Sequence, residues 1–190
     1  MSKMKATVRL LNKNPMFDYR QFCKVTQGIV LDEEKKFEPK DEVDFWLKHF
    51  LAMHSTLGCL HFRVLMQIPR TVAMQLVRHT DGHPQPEVES SRPDWTGKPR
   101  SADPEQLKWV VIDYTPESWI KMCQKRLCRK TEPKTFETVR ELVVAMANSP
   151  VPFFQALARV SRRKCKYYGA CNERESCGCY GDMPKLNDRF

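Results

Sequence analysis

Residues 60–67 constrain this chain more than any other segment. Leu60, Phe62, Val64 and Met66 fall on one side of a period-two alternation, with His61, Arg63 and Gln67 on the other. That is the signature of a strand with one face in a core and the other in water. Pro69 follows and suits the first turn of a helix, where its missing N–H would go unpaired anyway. Val72, Ala73, Leu76 and Val77 give that helix an apolar side.

The same logic places the other elements. Residues 7–11 read as a short strand, and 41–53 as a helix with Val43, Trp46, Leu47, Phe50 and Leu51 at helical spacing. Between that helix and the first strand, 28–40 is charged and irregular, a surface connection. Residues 107–114 alternate as a second sheet strand. Thr115-Pro116-Glu117 then starts a helix to about Cys128: a capping hydroxyl, proline at the first position and an acid facing the dipole. A further helix over 134–148 packs through Phe136, Val139, Leu142, Val143 and Met146, and one after Pro152 through Phe154, Leu157 and Val160. Residues 79–103, rich in Pro, Gly, Ser and Asp, read as loop, because prolines exclude a regular helix or central strand. A loop of that length inside a domain is usually functional or disordered, and ligand binding is its default reading. With 190 residues, 41% of them hydrophobic, the chain can bury one good core. One domain over 1–163 and a cysteine-rich tail over 164–190 are expected.

Composition narrows the function classes. No stretch approaches the roughly 20 apolar residues of a membrane span, and the charged start, Met1 to Lys5, leads into no signal-like run. The expectation is a soluble, cytoplasmic protein without a membrane partner. The net charge of +9 and a pI near 9.2 favour polyanionic ligands, nucleotides and dinucleotides among them. The basic cluster Arg159, Arg162, Arg163, Lys164, Lys166 reads first as a solvated face. Since no aromatic-basic interleaving supports a nucleic-acid module, no nucleic-acid partner is expected. Among eight cysteines, Cys165, Cys171, Cys177 and Cys179 crowd the tail, with spacings unlike the paired CxxC of common zinc sites. They remain metal candidates beside free thiols or a redox disulfide.

Three places carry candidate chemistry. Gln75, Arg78 and His79 share a helix face at its C-terminal end and point into the start of the long loop; they suit phosphate or a flavin edge, or simply complement the dipole. Arg126 falls inside the apolar stripe Trp119, Met122, Cys123, Leu127. A guanidinium there must meet a carboxylate, snorkel to water or face a ligand. Arg140, at its stripe's margin, is read as structural. The loop residues Glu87, Glu89, Ser90, Ser91 and Arg92 form a compact set suited to phosphate, or simply the solvated polarity common in loops.

Taken in order, His54-Ser55, Phe62, Gln75-Leu76-Val77-Arg78-His79 and Glu87 to Arg92 resemble the flavin-dependent thymidylate synthases, whose signature RHRxxSxNExSxR follows a helix ending in QLV or similar. Ser90-x-Arg92 matches the closing SxR. Arg126-Leu127 and Glu137-Thr138-Val139-Arg140 resemble the family's downstream arginine helix and its continuation. The tail resembles tails of some phage-encoded members, which would place the protein in a host cytoplasm. The resemblance covers about residues 42–148 with interruptions. Thr80 stands where the signature has its second arginine, His83 where it has its first serine, and Cys59 where a histidine is usual.

The resemblance implies an α/β fold of the α+β type, an antiparallel sheet flanked by helices, assembled as a homotetramer with active sites shared between subunits. It implies FAD held by Ser55, Arg78, His79 and Thr80. The substrate dUMP, or a related pyrimidine deoxynucleotide, would be held by Gln75, Arg78, Glu87, Ser90, Arg92 and Arg126, with Arg126 polarising the uracil ring. The implied reaction methylates dUMP to dTMP with methylenetetrahydrofolate and NADPH as co-substrates. Two alternatives stand beside it: another flavin-dependent pyrimidine modification such as hydroxymethylation, and a non-catalytic nucleotide- or nucleic-acid-binding relative.

Overall fold

The alternation of residues 60–67 puts its apolar set on the covered face of a sheet. In the computed structural model, which describes residues 5–32, 41–171 and 173–180, the strands are β1 (Lys5–Leu10), β2 (Phe62–Pro69), β3 (Gln85–Val88) and β4 (Leu107–Tyr114). They pair antiparallel throughout, in the order β1-β2-β4-β3. Register sets the core. Val64 opposes Val8 on one side and Ile112 on the other, and Met66 opposes Val110. Phe62, Val64, Met66, Ile68, Val110, Ile112 and Tyr114 are all buried. The outer face carries the cross-strand pair Arg63–Asp113, a bidentate bridge with both bonds at 2.7 Å.

Helices α1 (Pro15–Val25), α2 (Glu42–Ala52), α3 (Arg70–Val77), α4 (Pro93–Thr96), α5 (Pro116–Arg126), α6 (Pro133–Ala147), α7 (Pro152–Val160) and α8 (Lys164–Tyr168) follow in chain order, with a 3-10 turn at Ser55–Cys59. Aromatic side chains join sheet to helices. Phe62 of β2 meets Trp119 of α5 at 5.8 Å and Phe154 of α7 at 5.7 Å between centroids. Trp46 and Phe50 of α2 each meet Phe153 at 5.2 Å. The antiparallel sheet flanked by helices expected above is what the chain forms.

Three expectations need correction, and one helix is new. Residues 79–103 are not all loop: they contain β3 and the short α4. Pro86 lies within β3, which it can do because β3 is the sheet's edge and one side of its backbone needs no partner. Pro69 ends β2 and occupies the N-cap of α3 rather than its first turn. Leu51 of α2 is exposed, and Trp46 and Phe50 carry the buried face. Finally, α1 was not anticipated, although the Asn14 side chain accepts from Phe17 N at 3.1 Å, Pro15 starts the helix, and Met16 and Tyr19 are its buried residues. The connection over 28–40 is irregular as far as Asp32; the remainder lies outside the described residues, as do 1–4 and 181–190. No helix among the described residues is long and apolar enough to cross a membrane.

Candidate functional site

Arg126 owes its position to the way α5 is started and packed. Thr115 and Ser118 form a reciprocal capping box, with Ser118 N donating to Thr115 Oγ1 at 3.1 Å and Thr115 N to Ser118 Oγ at 2.9 Å. Trp119, Met122 and Cys123 are then fully buried. The same face, two turns beyond Trp119, presents Arg126 to the C-terminal end of α3. Its Nη1 donates to Gln75 Oε1 at 3.0 Å and its Nη2 to the Gln75 carbonyl oxygen at 2.6 Å. No carboxylate takes part. Arg126 is half-buried, and its Nε is buried without a partner. Burial pulls its pKa down, while the adjacent Tyr114 acts in the opposite direction.

His79 brings a second orphan to the same neighbourhood. It is 7% exposed, and its Nε2 has no partner. Burial lowers its pKa, Asp81 opposes that, and the Arg126, Lys125 and Lys121 charges reinforce it. The imidazole is therefore neutral at neutral pH, able to offer one donor and one acceptor. Beside Gln75 a cleft of about 490 Å3 opens, lined also by Arg70, Thr71, Met74, Pro104 and Glu132. Glu132 caps α6, accepting from Lys134 N at 3.0 Å and Thr135 N at 2.7 Å.

A glycine locks the turn after His79 onto α5. Gly82 has φ of 77°, and a Cβ there would lie 2.8 Å from the Ser118 Cα. Both the backbone conformation and the close approach exclude a side chain. Gly82→Ala is expected to lower stability by more than about 1 kcal/mol, read as a shifted urea midpoint; an unchanged midpoint would show that the turn does not bear on α5.

The remaining sequence-derived residues separate into two groups. Arg78, the C-cap of α3, is exposed and makes no side-chain hydrogen bond or ion pair among the described residues; Thr80 is exposed beside it. Ser55 is exposed at the start of the 3-10 turn. The strand β3 carries the chain away from His79, so Glu87 to Arg92 run toward the Trp109 end of β4. There Glu89 accepts from Trp109 N at 3.1 Å and from Lys98 Nζ at 2.7 Å. Ser90 Oγ accepts from Arg92 N at 3.1 Å, and the buried Lys108 donates to the Ser90 carbonyl at 3.3 Å. Arg92 pairs with Asp94 at 2.8 Å and covers the Trp95 ring at 4.6 Å. Within one chain, then, Gln75, His79 and Arg126 come together, while Glu89, Ser90 and Arg92 bond to Trp109, Lys98, Lys108 and Asp94 instead. The sequence reading missed Arg70, Thr71 and Glu132. Only Glu132 had a local signal, an acid directly before Pro133 at a helix start.

No protein-family model matches the sequence, and no curated protein matches it. Solved structures do match its fold. Thymidylate Synthase X (ThyX) from Helicobacter pylori, with FAD and dUMP, aligns with a TM-score of 0.60 at 10% identity, over 84% of this chain and 100% of that one. The UMP/dUMP methylase PolB from Streptomyces cacaoi, bound with 5-Br dUMP, aligns at 0.57 and 9% identity, over 85% and 98%. A flavin dependent thymidylate synthase ThyX from Helicobacter pylori complexed with FAD and dUMP aligns at 0.53 and 12%, over 73% and 92%. The fold expected from the sequence resemblance is thus the fold of this chain.

Proposed function

We propose, from the fold this chain shares with the flavin-dependent thymidylate synthases, that it is an enzyme that methylates the uracil ring of dUMP. The observation that carries the reading is the Arg126 guanidinium, half-buried in the apolar stripe of α5 and held by two neutral oxygens of Gln75. A carboxylate would cancel its charge. Neutral acceptors fix its orientation and leave the charge free to act on a ligand, which is worth most in a partly dry site. Two of its five N–H donors go to Gln75. The other Nη donors would meet the carbonyl and imide edge of a pyrimidine and stabilise negative charge developing there, while the covered Nε lies behind them.

The chain's own residues fit both ligands in kind. Gln75 and Arg126 would hold the base, and His79, Arg78, Thr80 and Ser55 would hold the flavin and its phosphates; His79 Nε2 and the Arg78 side chain have no partner among the described residues. FAD would supply the redox chemistry, passing hydride equivalents from NADPH to the one-carbon unit of methylenetetrahydrofolate. In the balanced reaction the C5 proton of dUMP is replaced by a methyl group; NADPH and one proton are consumed, and tetrahydrofolate and NADP+ are released. Since none of Glu87, Ser90 and Arg92 bonds to Arg126 or Gln75 within one chain, they are proposed to complete the site of a second copy in a homotetramer.

A second reading keeps the pocket and changes the product, for example to hydroxymethylation. It rests on Thr80, which gives up a cation that the signature places against the flavin. Purified protein incubated with FAD is expected to show a flavin absorption spectrum that shifts on adding dUMP. Mass spectrometry of the nucleotide pool then separates methyl from hydroxymethyl products. No flavin uptake and no dUMP-dependent shift would refute both readings.

A further inference from the structure

Spacing alone groups Cys165, Cys171, Cys177 and Cys179, but the fold groups the thiols differently. Cys128 lies just past the end of α5, where α8 packs against that helix and brings up Cys165. The chain then leaves α8 through Gly169, in the left-handed region at φ of 70°, and runs back past Cys171 to Cys177. Cys128, Cys165, Cys171 and Cys177 line one small, partly open space of about 10 Å3, together with Gln124, Glu173 and the two cations Arg163 and Lys164, whose charge would offset that of bound thiolates. Cys179 does not line that space but sits at its rim, hydrogen-bonded to Cys177, with its sulfur accepting at 3.4 Å from Nη1 of Arg163, which also covers the Tyr180 ring at 5.5 Å. All eight cysteines are free thiols.

We infer that Cys128, Cys165, Cys171 and Cys177 form a tetrathiolate site for zinc, which fastens the tail to the end of α5. Four sulfurs from three chain segments match the number and type of donors in a closed structural zinc site. The space they line is no larger than one water requires, which suits a single ion without an open coordination position. The tail also needs such a fastening. Among the described residues beyond Gly169 the buried one is Cys171, and the other ties are few: Arg163 to Cys179 and Tyr180, Ser176 Oγ donating to the Tyr180 carbonyl at 3.0 Å, and an exposed Lys130–Glu175 pair at 3.6 Å. Surface pairs of that kind contribute little, and short irregular segments without a core are commonly held by metal or disulfide.

Among the described residues no three such side chains yet stand in a coordination cage. Binding must therefore draw the sulfurs inward to Zn–S distances of about 2.3 Å, with each thiol releasing its proton. The site does not rest on the nucleotide reading. It does touch the same helix, because Cys128 follows Arg126 closely and metal there would hold the end of α5 in place.

The full chain, purified under reducing conditions, is expected to contain or take up one zinc per chain by elemental analysis. Cobalt substitution should give the visible bands and thiolate charge-transfer absorption of a tetrahedral sulfur site. Cys128→Ser and Cys171→Ser should each abolish stoichiometric zinc, while Cys179→Ser keeps it. Should a serine variant fail to fold, thiol labelling of the native wild-type chain decides instead: a chelator should expose Cys128, Cys165, Cys171 and Cys177 together. Absence of zinc from the reduced chain even after its addition would overturn the proposal. So would iron and sulfide in the protein, a disulfide among these four, or retention of zinc in Cys128→Ser with loss in Cys179→Ser.

Discussion

Arg126→Ala is expected to lower kcat/KM for pyrimidine methylation by at least about a hundredfold, the scale of losing one preorganised donor to developing negative charge. The fold should survive, since the side chain is half-buried and its two bonds end on one residue, Gln75. Arg126→Lys makes the test sharper. Lysine keeps the positive charge but cannot reach Gln75 Oε1 and the Gln75 carbonyl in a fork while leaving donors for a ring. It should therefore recover only a small part of the activity, whereas a role confined to capping the end of α3 would be largely restored by any cation. Gln75→Leu should cost less than Arg126→Ala, because it removes the side-chain acceptor and leaves the main-chain one. Steady-state kinetics with circular dichroism on the same samples decide the matter. Undiminished turnover in Arg126→Ala would refute the mechanistic role given to this residue, whatever the fate of the fold assignment.

The strands and helices that could be read from sequence are those whose burial is periodic. β4 matches its expected span of 107–114, and the buried alternation of β2 continues through Ile68 as its residues 62, 64 and 66 required. Elements whose reason for existing is not periodic were missed. β3 is a strand because β4 offers it an unpaired edge, and nothing in a segment containing Pro86 reveals that neighbour. α1 buries Met16 and Tyr19, a pattern too sparse to stand out without its Asn14 cap. The site divides the same way. An arginine inside an apolar stripe is visible on one helix, so Arg126 could be singled out. That it meets Gln75 depends on the ends of α3 and α5 being brought together around α6, which packs against both, a contact between distant chain segments. The thiols show the converse, since proximity in sequence selected Cys179 and the packing of α8 on α5 selects Cys128.

Trp119 connects the core to the site, and truncating it is expected to have the largest effect on stability. The side chain is fully buried between Phe62 and Tyr114, at 5.8 and 5.3 Å between centroids, each edge-on. Its Nε1 donates to Ser161 Oγ at 2.8 Å, and Ser161 Oγ donates in turn to the Leu157 carbonyl at 2.7 Å, so one side chain ties sheet, α5 and the end of α7 together. Trp119→Ala should cost about 3–5 kcal/mol from the cavity and the lost contacts, a large share of the roughly 5–15 kcal/mol by which a domain is stable. Trp119→Phe keeps most of the volume and loses the indole donor, so a cost of about 1–2 kcal/mol is expected. The difference carries the argument, because it separates packing from the hydrogen bond. Urea unfolding of both variants measures it, and equal midpoints would mean that the link to Ser161 outweighs the packing. Arg126 lies on the same face two turns along, so a Trp119→Phe chain that folds but loses dUMP-dependent spectral change would trace the guanidinium's placement to this ring.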